Sequence, residues 1–375
     1  MSSSKFIDYS MPTSNLKHKA KAVIKSILTK FEQINRPLKI MHICGTHEAT
    51  VSRSGIRSLL PNDLRIISGP GCPVCVCPSE HVTTAIKLAD EGNIITTFGD
   101  MLKVPDHSLM TLNQSKAMGN DIRVVYSVSD AVQYAKENPN KKFIWLGIGF
   151  ETTAPMTSFV LEKEKLPENF FVLTDFRLVP PAMHLLCNDP EFDIDGYVLP
   201  GHVSTIIGTN PYEIFPKKYL IPCVIGGFNS IEFLIALDKT LEQILESDAH
   251  VYNAYPKVVK KEGNRSAIES MKNVFDIVDA KWRGIGIIPK SGYELNAEFS
   301  NHNARNLLDE PIIVTNDLPK GCKCGGVILG KVEPEDCPHF LRQCTPETAI
   351  GPCMVSDEGT CRIRATYMNF QMTTS

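Results

Sequence analysis

Three thiols fall within six residues in the stretch Gly69-Pro70-Gly71-Cys72-Pro73-Val74-Cys75-Val76-Cys77-Pro78. Gly69 and Gly71 accept backbone angles that other residues resist, while Pro70, Pro73 and Pro78 stiffen the chain. A β-branched run at 64–67 precedes the stretch and a helical pattern at 79–90 follows it. The spacing therefore predicts a rigid loop at the C-terminal end of a strand, holding thiols near a helix N-terminus. There the helix dipole and free N–H groups favour thiolate over thiol. Cys72-x-x-Cys75 reads as a redox or metal-handling pair. Burial as two small apolar side chains is the alternative, and the proline–glycine frame weighs against it.

Cys44-Gly45-Thr46-His47-Glu48 puts a cysteine at the end of a short apolar run, 38–44, beside a glycine turn. That is the position of a nucleophile or a soft-metal ligand. His47 reads as its base, as a second ligand, or as a helix cap. Gly149-Phe150-Glu151-Thr152-Thr153-Ala154-Pro155 places a carboxylate and two hydroxyls at a predicted helix N-terminus. This suits anion binding or proton handling, although Thr152 serves equally as a plain N-cap. In Gly201-His202-Val203-Ser204 a histidine follows a predicted strand, as a satisfied structural residue or as part of a shared cleft. No phosphate-binding P-loop signature occurs.

Six more thiols, Cys322, Cys324, Cys337, Cys344, Cys353 and Cys361, fall within forty residues of weakly periodic chain. Such a segment needs a staple, and metal supplies one. Zinc sites usually carry two tight C-x(2–4)-C knuckles, which are absent, and the wide spacing favours an iron–sulfur cluster. A secreted disulfide scaffold is the other use for twelve cysteines, but this chain of 375 residues is long and its first 21 residues lack an apolar signal core.

These groups need elements to position them. Apolar spacing predicts a helix over 14–35 and strands at 38–44, 64–67, 93–98, 121–127, 142–148, 170–174, 196–199 and 221–225. Helices are expected between them, one capped by Ser129 and running to 138, another amphipathic over 230–245. Alternating strands and helices imply an α/β fold with parallel sheets covered on both faces. Two such sets in sequence predict two similar α/β lobes, 38–128 and 129–245. Residues 1–37 and 246–375 then form a third, cysteine-rich region, with a helix at 266–278 and a strand at 285–289. In open α/β sheets ligands bind outside the carboxyl ends of strands, so Cys44, the cysteine loop, Glu151 and His202 are expected to converge on one cleft. Apolar content of 43% and charged content of 22% are ordinary for a globular protein. A net charge of −3 offers no basic footprint for nucleic acid. No apolar run is long enough to span a membrane, and a soluble, cytoplasmic protein is expected.

Together these motifs resemble the hydrogenase maturation factor HypD family. Cys44-Gly45-Thr46-His47, Gly69 to Cys75, Gly149 to Pro155, Gly201 to Ser204 and the ending Met354-Val355-Ser356-Asp357-Glu358-Gly359-Thr360-Cys361 occur in that family's order across 41–361. The resemblance implies a scaffold on which the iron of [NiFe]-hydrogenase acquires two cyanides and one carbon monoxide. It implies work in complex with the small chaperone HypC and receipt of cyanide from HypE. Cys44 would be the iron ligand, and Cys72 and Cys75 the redox pair, with His47, Glu151 and His202 in the same site. The family's cluster spacing, C-x14-C-x6-C-x16-C, assigns a [4Fe–4S] cluster to Cys322, Cys337, Cys344 and Cys361, leaving Cys324 and Cys353 over. Many members carry a second histidine two residues after the first; this chain has Ala49 there, so that position offers no ligand. The alternative is a thiol–disulfide oxidoreductase in which the cluster feeds electrons to Cys72–Cys75. Iron bound at Cys44 separates the two.

Overall fold

The computed structural model describes residues 13–372. Residues 1–12 and 373–375 lie outside the described residues, and with them much of the polar N-terminal stretch. Eleven strands are described: β1 (Leu38–His42), β2 (Leu64–Ser68), β3 (Ile94–Thr97), β4 (Ile122–Val124), β5 (Phe143–Gly149), β6 (Phe170–Arg177), β7 (Gly196–Pro200), β8 (Cys223–Gly226), β9 (Val251–Asn253), β10 (Phe275–Trp282) and β11 (Gly286–Leu295). The first sheet has the order β2-β1-β7-β8-β9 and is parallel throughout. The second has the order β10-β11-β6-β5-β3-β4, parallel from β6 to β4 and antiparallel where β10 and β11 join. β5 and β8 are buried along their whole length, as strands covered by helices on both faces must be. The fold is α/β with two lobes and a cysteine-rich C-terminal region, as the alternation of strands and helices predicts.

The lobes do not follow the division at 128/129. β3 pairs with β5, Ile94 opposite Phe143, and with β4, Ile95 opposite Ile122, while β7 pairs with β1, Ile40 opposite Gly196. The chain leaves the first sheet after β2, builds β3 to β6 of the second, and returns at β7. Each crossover is compatible with either sheet, so the alternation of elements does not reveal which strands become neighbours. Nor do 1–37 and 246–375 form one region. The helix Thr13–Ile34 packs along the helix Ser230–Glu246, with Lys30 Nζ 2.8 Å from Asp238 and 3.1 Å from Glu242. β9 extends the first sheet, and β10 and β11 extend the second.

Two local expectations are corrected. The helix expected over 266–278 runs from Arg265 to Val274 and gives way at once to β10. Pairing with β11, with Trp282 Nε1 donating to Ser291 Oγ at 2.8 Å, overrides a helical pattern whose last residues are equally good strand formers. Ser127, not Ser129, caps the helix Val128–Glu137: its Oγ accepts from the Asp130 N–H, and the Asp130 carboxylate accepts from the Ser127 N–H. Among the described residues no helix is long and apolar enough to cross a membrane.

Candidate functional site

The carboxyl ends of the first sheet carry most of the motifs. β1 runs into Cys44, β2 into the cysteine loop, β7 into Gly201-His202 and β8 into Gly226-Gly227-Phe228. Cys44 has extended backbone and precedes the helix Gly45–Arg53. Burial pushes its thiol up to about 11; the backbone N–H groups of His47 and Thr46 oppose this, and the charge of Glu358 adds to it. Without a bound electrophile or metal, Cys44 is therefore a thiol at neutral pH. Two glycines bring two segments up to it. A Cβ at Gly71 would lie 2.3 Å from the Cys44 nitrogen, and one at Gly45 would lie 2.5 Å from the Glu358 Cβ. The Gly45 N–H also donates to the Gly71 carbonyl at 3.2 Å. The cysteine loop and the Met354–Cys361 segment thus pack directly against Cys44.

Within the loop, Pro73–Val76 forms a four-residue helix with Cys72 at its N-cap, its Sγ accepting from the Cys75 N–H at 3.2 Å. Cys72 and Cys75 form a disulfide with Cα atoms 5.3 Å apart. Cys77 stays outside it: the thiol is buried, donates to the Pro78 carbonyl at 3.7 Å and is held well above its ordinary pKa by burial and by Asp175. The short helix packs against Pro352–Met354, which carries Cys353.

The side chain of His47 is engaged away from Cys44. Its Nε2 donates to the Gly227 carbonyl at 3.0 Å, and its ring stacks with Phe228 and meets Phe233 edge-on. Burial, with help from His42, lowers its pKa to about 3, so it is a neutral imidazole. What His47 offers Cys44 is its backbone N–H. His202 stacks on Phe228 at 3.6 Å and is joined to His47 through that ring. Burial lowers its pKa as well. Glu151 stands at the end of β5 in the other sheet. Its Oε1 accepts from the Val179 N–H at 3.0 Å, its Oε2 is buried without a hydrogen-bond partner among the described residues, and burial raises its pKa to about 7. The link to the first sheet runs through Tyr212, whose phenol lies 3.4 Å from Ser204 Oγ and feels the charges of both Glu151 and Cys44.

The sequence reading missed Glu48. Its carboxylate accepts from His42 Nε2 (2.9 Å), from Arg57 Nη1 (2.9 Å) and Nη2 (2.7 Å), and from Ser52 Oγ (2.9 Å). Burial alone would raise its pKa, but Arg57 and His42 outweigh it and hold the group well below the usual carboxylate range. Ser52 and Arg57, four and nine residues further on, were the available signal; His42 was not, because its contact needs the strand. Glu48→Ala leaves Arg57 and His42 without their buried acceptor and is expected to cost about 3–5 kcal/mol. Because the folded pKa is depressed, that stability is present above the ordinary glutamate range and lost as pH falls through the folded value. Urea denaturation of both proteins checks this: the gap between them should be widest at neutral pH and close in acid.

In the C-terminal region the sulfur contacts run through Cys322, Cys324, Cys353 and Cys361. Cys324 and Cys353 lie among these sulfurs. Cys353 accepts from the Cys361 N–H at 3.3 Å and from the Cys324 and Cys361 thiols, which hold it well below its ordinary pKa. The same contacts push Cys361 up, and Cys324 with burial pushes Cys322 up. Cys344 lies within the electrostatic field of Cys322 and Cys324. Cys337 is half-buried, and its backbone binds Pro334 and Phe340. A Cβ at Gly351 would lie 2.8 Å from Cys324 Sγ and 3.0 Å from Cys322 Sγ, so only glycine leaves these sulfurs room. Among the described residues no three His, Cys, Asp or Glu side chains are grouped as a single bound ion requires. An all-sulfur donor set spread over several turns suits a polynuclear iron–sulfur group, each iron taking its own thiolate.

Known proteins are similar to this chain in sequence. The HypD family profile, described as the hydrogenase formation hypA family, matches residues 18–368. A hydrogenase expression/formation protein of Methanocaldococcus jannaschii is 43% identical over 353 residues, covering 92% of this chain and 98% of its own length. The hydrogenase maturation factor HypD2 of Bradyrhizobium diazoefficiens is 40% identical over 90% of this chain and 91% of its own. HypD of Escherichia coli is 38% identical over 87% and 88%.

Proposed function

From the premise that this chain belongs to the HypD family of hydrogenase maturation factors and takes part in hydrogenase formation, we propose that it is the scaffold on which the iron of a [NiFe]-hydrogenase gains two cyanides and one carbon monoxide. One observation carries the reading: a single cysteine, Cys44, is presented at the carboxyl end of a parallel sheet with a disulfide loop packed against its backbone through Gly71. Thiolate is a soft ligand suited to low-spin iron whose other positions are filled by diatomic ligands. With one protein thiolate here and one from a small HypC-type partner, the iron remains transferable; a closed four-ligand site would retain it. A HypE-type protein is the cyanide donor in this reading.

The residues around Cys44 have distinct parts. The N–H groups of Thr46 and His47 stabilise the thiolate once iron displaces the proton. Glu48 fixes the start of the helix that carries those N–H groups. Glu151, near half-protonated at neutral pH, and the exposed His202 handle protons or hydrogen-bond the diatomic ligands. Cys322, Cys337, Cys344 and Cys361 would hold a [4Fe–4S] cluster, which supplies single electrons when bound. Of these, Cys337 is the ligand least supported by the sulfur contacts. The packing of Pro73–Val76 on Pro352–Met354 favours the thiol–disulfide reading as part of the same task, since it sets the Cys72–Cys75 pair beside the cysteine-rich region.

Infrared spectroscopy of the anaerobically purified complex with the small chaperone tests the scaffold role, because bound cyanide and carbon monoxide absorb where protein does not. Their bands are expected; a complex from hydrogenase-producing cells that lacks them counts against the reading. Cys72 and Cys75 are expected to interconvert between dithiol and disulfide, with Cys77 dispensable. Thiol trapping at controlled potential with peptide mapping measures this, and a pair that stays reduced across the cytosolic range would refute it.

A further inference from the structure

Behind the disulfide loop lies a cavity of about 290 Å³ that the proposed site does not use. Its walls are the start of the helix Ser79–Asp90, the end of β6, the β10–β11 hairpin and the segment from Arg305 to Ile312. The cavity is built from charges, and its cations are matched within the protein. Arg177 pairs with Asp175 and donates to the Lys281 carbonyl through Nε at 3.1 Å and Nη2 at 2.8 Å. Lys281 Nζ meets the Val314 carbonyl at 2.6 Å, Glu80 at 2.9 Å and Asp317 at 3.5 Å, three partners for three N–H bonds. Arg305 pairs with Glu294 at 3.2 Å and donates to the Thr174 carbonyl at 3.2 Å.

The unmatched atoms are different in kind. Asp175 Oδ2 and His81 Nε2 are both buried without a hydrogen-bond partner among the described residues. The two residues are 2% and 3% exposed, and both line the cavity. Burial raises the Asp175 pKa to about 6 against the pull of Arg177, which leaves it mainly a carboxylate at neutral pH. His81 is held neutral by burial and by Arg305 and Arg177, so its ring nitrogen is able to accept. The lining carboxylates, Glu80, Asp175, Asp279 and Glu294, exceed the lining cations, Arg177, Lys281 and Arg305, by one. A buried acceptor without a donor carries a desolvation penalty that an entering donor relieves. An anion would meet Asp175 Oδ2 with no free cation to offset it.

We infer that this cavity binds a small molecule through a cationic nitrogen, an ammonium or guanidinium group that donates to Asp175 Oδ2 and His81 Nε2. Occupancy reaches the disulfide loop, because the Cys77 thiol lies beside the same Asp175 carboxyl. Calorimetric titration of the full chain with agmatine, methylammonium and acetate tests the assignment. Saturable binding of agmatine or methylammonium, and none of acetate, is expected. Asp279→Asn, at the exposed edge of the cavity, should weaken that binding about fivefold without moving the denaturation midpoint. Asp175→Asn should abolish it. Because Asp175→Asn also breaks the pair with Arg177, Thr84→Phe serves as the second variant: it narrows the cavity, leaves every charge in place, and should also remove binding. Saturable acetate binding, no saturable heat from either cation, or cation binding unchanged in both Asp175→Asn and Thr84→Phe would overturn the inference.

Discussion

Cys44→Ala is expected to reduce hydrogenase maturation to background while leaving the protein folded. The fold should survive because the Cys44 side chain is small and the helix behind it is held independently by the contacts of Glu48 with Arg57 and His42. Loss of one buried sulfur costs about 1 kcal/mol, within the range of an ordinary substitution. The function should not survive, because the N–H groups of Thr46 and His47 converge on one sulfur and no other thiol is presented to that spot. Cys72 and Cys75 are tied to each other, and Cys77 is buried beside Asp175. Three measurements belong together: hydrogenase activity in a complemented deletion strain, the iron–sulfur absorbance of the purified protein, and the cyanide and carbon monoxide bands of its complex with the small chaperone. Activity and bands should vanish and the absorbance should persist. Bands at wild-type intensity would move the iron to Cys72 or Cys75.

Cys361→Ser should have the second largest effect, and on a different property. Cys361 opens the helix Thr360–Met372, its N–H donates to Cys353, and the helix packs on Gly45–Arg53 behind Cys44. Serine keeps that N–H but replaces a soft donor with a hard one that binds iron–sulfur groups poorly. The anaerobically purified variant should lose its cluster absorbance and iron, and proteolysis should cut the region after residue 320 faster than in the parent. Cys353→Ala should share part of this loss, since Cys353 accepts from both Cys361 and Cys324. Zinc in place of iron in the parent protein would sink the cluster assignment.

Much of this protein was legible in its sequence. Strand-forming runs bounded by glycine and proline determined the parallel elements, and the placement of Cys44, the cysteine loop and His202 just after strands determined that each stands at the carboxyl end of a strand. These are local facts, set by side-chain period and by what each backbone position permits. Tertiary structure alone decided the rest. Which sheet each strand joins depends on pairing between runs far apart in the chain, Ile40 with Gly196, so β7 rather than β3 lies beside β1. The direction of the His47 ring depends on the Gly227 carbonyl, which belongs to a segment 180 residues away. Glu48 becomes an ionised buried group because Arg57, and His42 at the end of β1, together outweigh its burial. Cys324 and Cys353, a remainder in the spacing, meet Cys361 because an irregular chain folds back on itself without any periodicity to announce it. Local spacing names the groups able to do chemistry; long-range packing sets which of them touch, and through burial sets which carry charge.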